Sequence, residues 1–222
     1  MGTNPLSPKE NFARAIRCPD EEINLGAAAL YAASSEFPDL DVIAYQGRIA
    51  QFGTKVKTLL PADYTNFEFV NSMHEVLFGK TGFTGDSKDY FDPRNSHLNE
   101  VIDRLKGNPV TLSIFYIEVA RVAGEKVRGI SLRKHFVVVV GTGEDRIYVD
   151  PFHGGGFLSR KECITNILGK DNVKHGDFDD LERKYLKPAS NRAILRRQLS
   201  NLKVAHEKHK QYELALSASE RI

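Results

Sequence analysis

The sequence has few of the residues and segments that mark specialised protein classes. It contains two widely separated cysteines, Cys18 and Cys163, among 222 residues, and no tryptophan. Such a pair forms neither a disulfide framework nor a clustered metal motif. No apolar run reaches the roughly 18 residues of a transmembrane helix, and the N-terminal segment lacks the apolar core of a signal peptide. We therefore expect a cytoplasmic protein that does not bind membranes.

The chain also has little excess of either charge, because its 31 basic residues are almost balanced by 29 acidic ones. A net charge of +2 gives no reason to expect nucleic acid as a partner. Residues 181–222 are locally basic, with ten Lys or Arg against four Asp or Glu. This pattern favours a solvated helical face over a polyanion-binding tail, and we interpret His206 and His209 as part of that surface.

The first ninety residues are predicted to be helical. One helix should begin near Pro19 and end before Pro38, and a second should run from about Leu40 through Phe52. A third is expected from Phe67 to Phe78, where the apolar residues recur at helical spacing. No reactive motif occurs in this part of the chain.

The centre of the fold is predicted to be a helix that begins at Asn108-Pro109. Asparagine is a strong N-cap, and proline is favoured in the first turn. A preceding helix, capped by Asn95 or Ser96, should end at Lys106-Gly107. The helix after Asn108 is apolar on nearly every side until Gly124, which is typical of a helix buried on all sides.

Two extended runs, HFVVVV (135–140) and RIYVD (146–150), predict a β-hairpin. A four-residue loop would pair Val140 with Asp145 and, further along, His135 with Asp150. Directly opposite residues have Cβ atoms about 4.5–5.5 Å apart. The count therefore places a histidine beside an aspartate at the open end of the hairpin.

The C-terminal third is predicted to return to helix. Ser159 and Glu162 have capping-box spacing, and Cys163 lies on the apolar side of that helix as a buried structural thiol. Residues 187–190 read as a linker that ends in the N-cap Ser190. The following helix should break near His209-Lys210 and then resume.

The order of central helix, His135 strand and Asp150 strand resembles the transglutaminase-like superfamily, and more closely the SirB family of bacterial transglutaminase-like proteins. The matching stretches are PDLDV (38–42), the long segment GFTGDSKDYFDPRNSHLNEVIDRLKGNPVTLSIFYIEVAR (82–121), HF (135–136) and DPFHGGGFLS (150–159). The resemblance implies an α+β fold. An N-terminal helical bundle leads into a papain-like core of one central helix against a small antiparallel sheet, and a C-terminal helical hairpin follows.

The resemblance also implies a division of the chain. Residues 1–180 would form the SirB or transglutaminase-like domain, with a helical part over about 11–90 and the core over about 91–170. SirB-type proteins usually continue into tetratricopeptide repeats, and residues 188–222 resemble the start of one.

The departure from the superfamily pattern lies at Pro109. Active members of the superfamily have the catalytic cysteine at the position that Pro109 occupies here, at the start of the central helix. His135 and Asp150 match the other two catalytic positions. Proline offers neither a nucleophile nor a proton. The first hypothesis is therefore a non-catalytic domain that binds a protein or peptide partner and keeps His135 and Asp150 as the remnant of a triad.

Two alternatives remain open at the level of sequence. In an acyl-transfer hydrolase or amidase, Thr111 or Ser113 would replace the missing nucleophile, although an alcohol needs a nearby base and an oxyanion site. A metal site could combine His135, Asp150 and His153, with His97 as a more distant ligand. No two core histidines show a motif spacing, so we predict neither a metal nor a cofactor.

Overall fold

The computed structural model describes residues 6–169 and 178–222 and shows a mixed, helix-rich fold with two small sheets. Within these residues, no helix has the length and apolar character needed to cross a membrane. Capping boxes begin two of the first helices, where Ser7 pairs with Glu10 and Thr65 with Glu68. The four N-terminal helices are α1 (Pro8–Ala15), α2 (Leu25–Ala33), α3 (Val42–Leu59) and α4 (Asn66–His74).

The first two predicted helix boundaries need correction. The helix expected at Pro19 starts only at Leu25, because the Asn24 side chain accepts a hydrogen bond from Ala27 N and caps it there. Only a short 3-10 turn lies at Asp20–Glu22. Helix α3 continues to Leu59, well beyond the expected end near Phe52.

The predicted central helix is present as α6 (Pro109–Ala123), after the short helix α5 (Leu98–Arg104). Asn108 is its N-cap, and Gly124, with a φ of 104°, ends it. Thirteen of its fifteen residues are buried, including Glu118. The apolar surface on every side of α6 packs against α2, α3 and the larger sheet.

The larger sheet is antiparallel and follows chain order. Its strands are β3 (Arg128–Ser131), β4 (Phe136–Val140), β5 (Ile147–Asp150) and β6 (Gly156–Leu158). A separate parallel pair joins β1 (Thr84–Gly85) to β2 (Lys106–Gly107). The central helix lies against β4, and this contact brings the N-terminal helices and the sheet into one core.

The predicted hairpin register between β4 and β5 is wrong by two residues. Val140 pairs with Ile147 and Val138 with Val149, so the loop is longer than four residues. The extra length is taken up by a 3-10 turn at Gly143–Asp145, flanked by Gly141 in a left-handed conformation. Because side chains alternate with a period of two, this shift keeps every residue on its predicted face.

The C-terminal part begins with α7 (Arg160–Leu168) and α8 (Phe178–Tyr185) and ends in the hairpin of α9 (Asn191–Lys208) and α10 (Tyr212–Ser219). Ser190 caps α9 as predicted, and the predicted break before α10 falls at Lys210, which has a φ of 61°. Ile194, Leu195 and Leu199 of α9 belong to the same buried cluster as α2 and α6. Helix α9 therefore packs directly onto the central core.

Two glycines of α3 give a matched test of how closely α3 and α6 pack. A Cβ on Gly53 would lie 2.4 Å from Val122 Cβ and 2.8 Å from the Val119 carbonyl oxygen, whereas a Cβ on Gly47 meets nothing within 4 Å. We expect Gly53→Ala to lower the free energy of unfolding by about 2 kcal/mol through overpacking. Gly47→Ala should raise it by about 0.5–1 kcal/mol through helix propensity. Urea titrations of both variants measure this contrast, and equal effects would contradict the packing described.

Candidate functional site

The predicted neighbours His135 and Asp150 are in contact. His135 Nε2 lies 2.7 Å from Asp150 Oδ2, although the corrected register makes the two residues diagonal rather than directly opposite. His135 immediately precedes β4, and Asp150 ends β5. The adjacency is therefore confirmed, because a two-residue shift leaves both side chains on one face of the sheet.

Asp150 also holds the turn that follows it. Its Oδ1 accepts hydrogen bonds from the backbone N–H groups of Phe152 and His153, at 3.0 and 3.3 Å. Its Oδ2 contacts a second imidazole, His153 Nδ1, at 2.7 Å. Burial raises the pKa of Asp150, but the hydrogen bonds to His135 and His153 outweigh it, and the pKa falls below its usual value.

These contacts determine which ring nitrogens carry protons. An ionised carboxylate only accepts hydrogen bonds, so His135 Nε2 and His153 Nδ1 both donate to Asp150. In its neutral form, His135 then has an unprotonated Nδ1, and His153 has an unprotonated Nε2. The ring of His153 is largely exposed, whereas that of His135 is only 15% exposed.

The N–H groups in the first turn of α6 are already hydrogen-bonded to Asn108. Pro109 has no N–H, and Asn108 Oδ1 accepts hydrogen bonds from the N–H groups of Val110 and Thr111, both at 3.0 Å. The next N–H, of Leu112, bonds to the Asn108 carbonyl oxygen. The N-cap side chain therefore uses the donors that would otherwise stabilise an oxyanion at this helix terminus.

The two hydroxyls considered as replacement nucleophiles are fully buried. Thr111 Oγ1 donates to Asn108 Oδ1 at 3.2 Å, and Ser113 Oγ has no hydrogen-bond partner. Within residues 6–169 and 178–222, neither hydroxyl is hydrogen-bonded to His135. Cys163 cannot substitute for them as a thiolate at neutral pH, because burial raises the pKa of its thiol to about 12.

Helix α9 and the segment before α5 cover this face of the core. Arg197 donates to the carbonyl oxygens of His135 and Leu132, both at 3.0 Å. The Gln198 side chain donates to the carbonyl oxygen of Ser96, beside the N-cap of α6.

A cavity of about 70 Å³ remains above Asn108. Tyr90, Phe91 and Val204, each 39–44% exposed, form its apolar rim.

A second cluster was missed by the sequence analysis, which placed His206 on the solvated surface. That prediction is wrong, because His206 is 1% exposed and its Nε2 lies 3.1 Å from Glu36 Oε1. His97, considered only as a distant fourth ligand for a His135 metal site, has its Nε2 3.2 Å from Glu36 Oε2. Burial raises the pKa of Glu36, but the neighbouring imidazoles of His206 and His97 lower it to about 2. The pairing could not be predicted from spacing, since it depends on how α9 docks.

Comparisons with known proteins agree with this architecture. The model of the transglutaminase-like superfamily matches residues 43–200. A UPF0162 protein of Xylella fastidiosa strain 9a5c is 32% identical over 203 residues, which cover 91% of this chain and 72% of that protein. A UPF0162 protein of Vibrio cholerae is 30% identical over 146 residues, 65% of this chain and 52% of that protein.

A shorter match reaches beyond bacteria. The human F-box only protein 21 is 29% identical over 104 residues, which cover 43% of this chain and 17% of that protein. No solved structure matches the chain. The family match covers most of the chain and includes the central helix, His135 and Asp150. The chain therefore belongs to the transglutaminase-like superfamily.

Proposed function

We propose that this protein is a non-catalytic, SirB-type member of the superfamily that binds a protein or peptide segment on the face carrying His135 and Asp150. The observation that carries the proposal is the closed first turn of α6. Pro109 occupies the position of the superfamily's catalytic cysteine, and Asn108 Oδ1 accepts hydrogen bonds from the N–H groups of Val110 and Thr111. Among residues 6–169 and 178–222, His135 and Asp150 have no hydrogen bond to a nucleophilic side chain, and the first N–H groups of α6 have Asn108 as their acceptor.

The proposal that the domain is non-catalytic is supported by how much an oxyanion donor and a nucleophile normally contribute to the rate of acyl transfer. Removal of one oxyanion donor typically costs a factor of about 10²–10³ in kcat. Loss of the nucleophile removes the covalent pathway itself. A hydrolase that used Thr111 or Ser113 would need His135 as a base within about 3 Å. The hydroxyl of Thr111 bonds instead to Asn108, and the buried hydroxyl of Ser113 has no hydrogen-bond partner in the described part of the chain.

The covered face has the character of a binding surface. Tyr90 and Phe91 stack edge to face with centroids 5.3 Å apart, and Val204 lies across the small cavity from them. Aromatic side chains are enriched in the central parts of protein interfaces. The ring of Phe152 connects this rim to the largely exposed ring of His153, with centroids 6.0 Å from Tyr90 and 5.1 Å from His153. Together these side chains fit an extended peptide segment with an apolar anchor.

The α9–α10 hairpin supplies a second part of the proposal. We interpret it as the start of a tetratricopeptide-like repeat, as the SirB resemblance implies. Tyr212 and Leu216 of α10 are 67% and 63% exposed, one helical turn apart. Such a pair matches the face on which a following repeat helix packs.

The binding proposal is tested by site-specific photo-cross-linking in the cells that produce the protein. A benzophenone amino acid is placed at Phe91 or at Val204, and a control is placed at Ile43, which is 80% exposed on α3. We expect one shared protein adduct from positions 91 and 204 and none from position 43. Labelling that is equal at all three positions would overturn the assignment of this face.

A further inference from the structure

We infer that Glu36, His97 and His206 form a binding site for a single divalent transition-metal ion, with zinc as the best match. The three residues come from distant parts of the chain. Glu36 follows α2, His97 precedes α5, and His206 lies in the last turn of α9. Their ligand atoms all lie within 4.8 Å of one another. This convergence has no sequence motif, so a metal site here could not be predicted from the sequence.

The ligand set and its spacing suit zinc. Two imidazoles and one carboxylate, with a fourth position left to water, are a familiar set of zinc ligands. Ligands about 2.0–2.1 Å from a tetrahedral ion stand roughly 3.3 Å apart. The two Nε2 atoms of His206 and His97 lie 3.1 and 3.2 Å from the Glu36 oxygens. Small side-chain rotations would therefore place all three ligands around one ion.

The two ring nitrogens of His206 have different partners. His206 Nδ1 lies 2.8 Å from Gln211 Oε1, an oxygen that can accept the Nδ1–H. The other nitrogen, Nε2, faces Glu36 and carries a lone pair in this tautomer, so it can bind a metal ion. A ligating histidine whose other N–H bonds to an oxygen acceptor is the usual second-shell arrangement in metal sites.

His97 provides an independent observation. The residue is 3% exposed, and its Nε2, although 3.2 Å from Glu36 Oε2, has no well-aligned hydrogen bond to any residue that the structure describes. A buried nitrogen without a hydrogen-bond partner is uncommon and costs free energy. A metal ion shared with Glu36 and His206 would satisfy this nitrogen.

The His135 cluster lacks these features although it also contains two histidines and a carboxylate. Both of its imidazoles lie 2.7 Å from a single oxygen, Asp150 Oδ2, which is hydrogen-bond distance. Two N–H donors satisfy that oxygen without a metal ion. The ligand atoms of the Asp150 cluster also lie within 4.8 Å of one another, so this cluster serves as the internal control for the test.

The surroundings allow an ion to reach the site. The cluster opens into a cavity of about 360 Å³ that is also lined by Asp89 and Asp92. Arg94 and Arg104 pair with Asp92 at the edge of this region. Arg221 adds positive charge near His206, but its guanidinium donates to the Ala32 carbonyl oxygen and the Ser35 hydroxyl. A bound ion would tie α9 to α2 and α5.

The test is zinc binding by the full chain after chelator treatment, measured by competition with a chromophoric chelator. We expect one Zn²⁺ per chain for the wild type. His97→Gln and His206→Gln should each weaken binding at least about 30-fold. His209→Gln, in the same cavity, and His153→Gln, in the other cluster, should change it less than about twofold. Zinc should also raise the Tm of the wild type by mass action.

The inference is overturned if the wild type binds no stoichiometric zinc, or if the loss follows His153 rather than His97 and His206. Circular dichroism checks that each variant is folded. X-ray absorption of the zinc-loaded wild type gives a second readout that needs no variant. Two imidazoles and one carboxylate at the zinc support the site, and any other histidine count contradicts it.

Discussion

We expect replacement of Asp150 by alanine to lower the free energy of unfolding by about 3 kcal/mol. The side chain is buried and accepts hydrogen bonds from two imidazoles and two backbone N–H groups. Hydrogen bonds to a charged acceptor contribute about 1.5–3 kcal/mol each, and their loss leaves buried donors unpaired. For a chain of this size, the change corresponds to a fall in Tm of about 6–12 °C, measurable by calorimetry.

The matched control for this variant is Asp150→Asn, which keeps the shape and the Oδ1 acceptor but cannot ionise. The native pKa of Asp150 lies below its unfolded value of about 3.9. Its ionic contribution is therefore present above about pH 4 and is lost as the pH falls through the native pKa. The stability advantage of the wild type over Asp150→Asn should shrink on acidification. A difference that stays constant from pH 7 to pH 3 would show that the carboxylate charge is not what the imidazoles bind.

Replacement of Asn108 by alanine should lower the free energy of unfolding by a similar amount, about 3 kcal/mol. Its Oδ1 accepts the N–H groups of Val110 and Thr111, and its Nδ2 donates to Ser96 Oγ at 2.8 Å. Loss of an N-cap costs about 0.5–2 kcal/mol, and the unpaired buried hydroxyls of Ser96 and Thr111 add to this. Chemical denaturation followed by circular dichroism measures the loss.

The variant Asn108→Asp keeps the capping oxygen but introduces a buried charge, so it distinguishes the loss of the cap from other effects of changing this residue. Aspartate keeps the Oδ1 acceptor, and its second oxygen can accept the hydroxyl of Ser96. We expect this variant to lose about 1 kcal/mol, because the added charge is buried but fully hydrogen-bonded. If the alanine variant were as stable as the aspartate variant, the first turn of α6 would not depend on Asn108. The claim that Asn108 occupies the N–H donors at the start of α6 would then be contradicted.

Local rules predicted the parts of the fold that depend on neighbouring residues. The caps Asn108 and Ser190 and the break at Lys210 follow from side-chain and backbone preferences within one turn. The adjacency of His135 and Asp150 was also predictable, even with the hairpin register wrong by two. Period-two alternation preserves the face of each residue, so the error did not separate the pair.

Long-range docking could not be predicted from these rules. His206 looks like part of a basic, solvated helix, because Lys203, Lys208 and Lys210 surround it in sequence. Its burial follows from the packing of Leu195 and Leu199 on the central core, which carries the end of α9 to Glu36. The hydrogen bonds of Asn108 to Ser96 and of Gln198 to the Ser96 carbonyl oxygen likewise depend on tertiary contacts.

The most direct test of the central claim is an assay for acyl transfer and amide hydrolysis by the purified wild type. The substrates are casein with a fluorescent primary amine and a set of fluorogenic peptide amides. His135→Ala and His209→Ala serve as the site variant and the remote control. The closed first turn of α6 predicts that all three proteins are indistinguishable from buffer. Turnover by the wild type and His209→Ala that disappears in His135→Ala would contradict a non-catalytic domain.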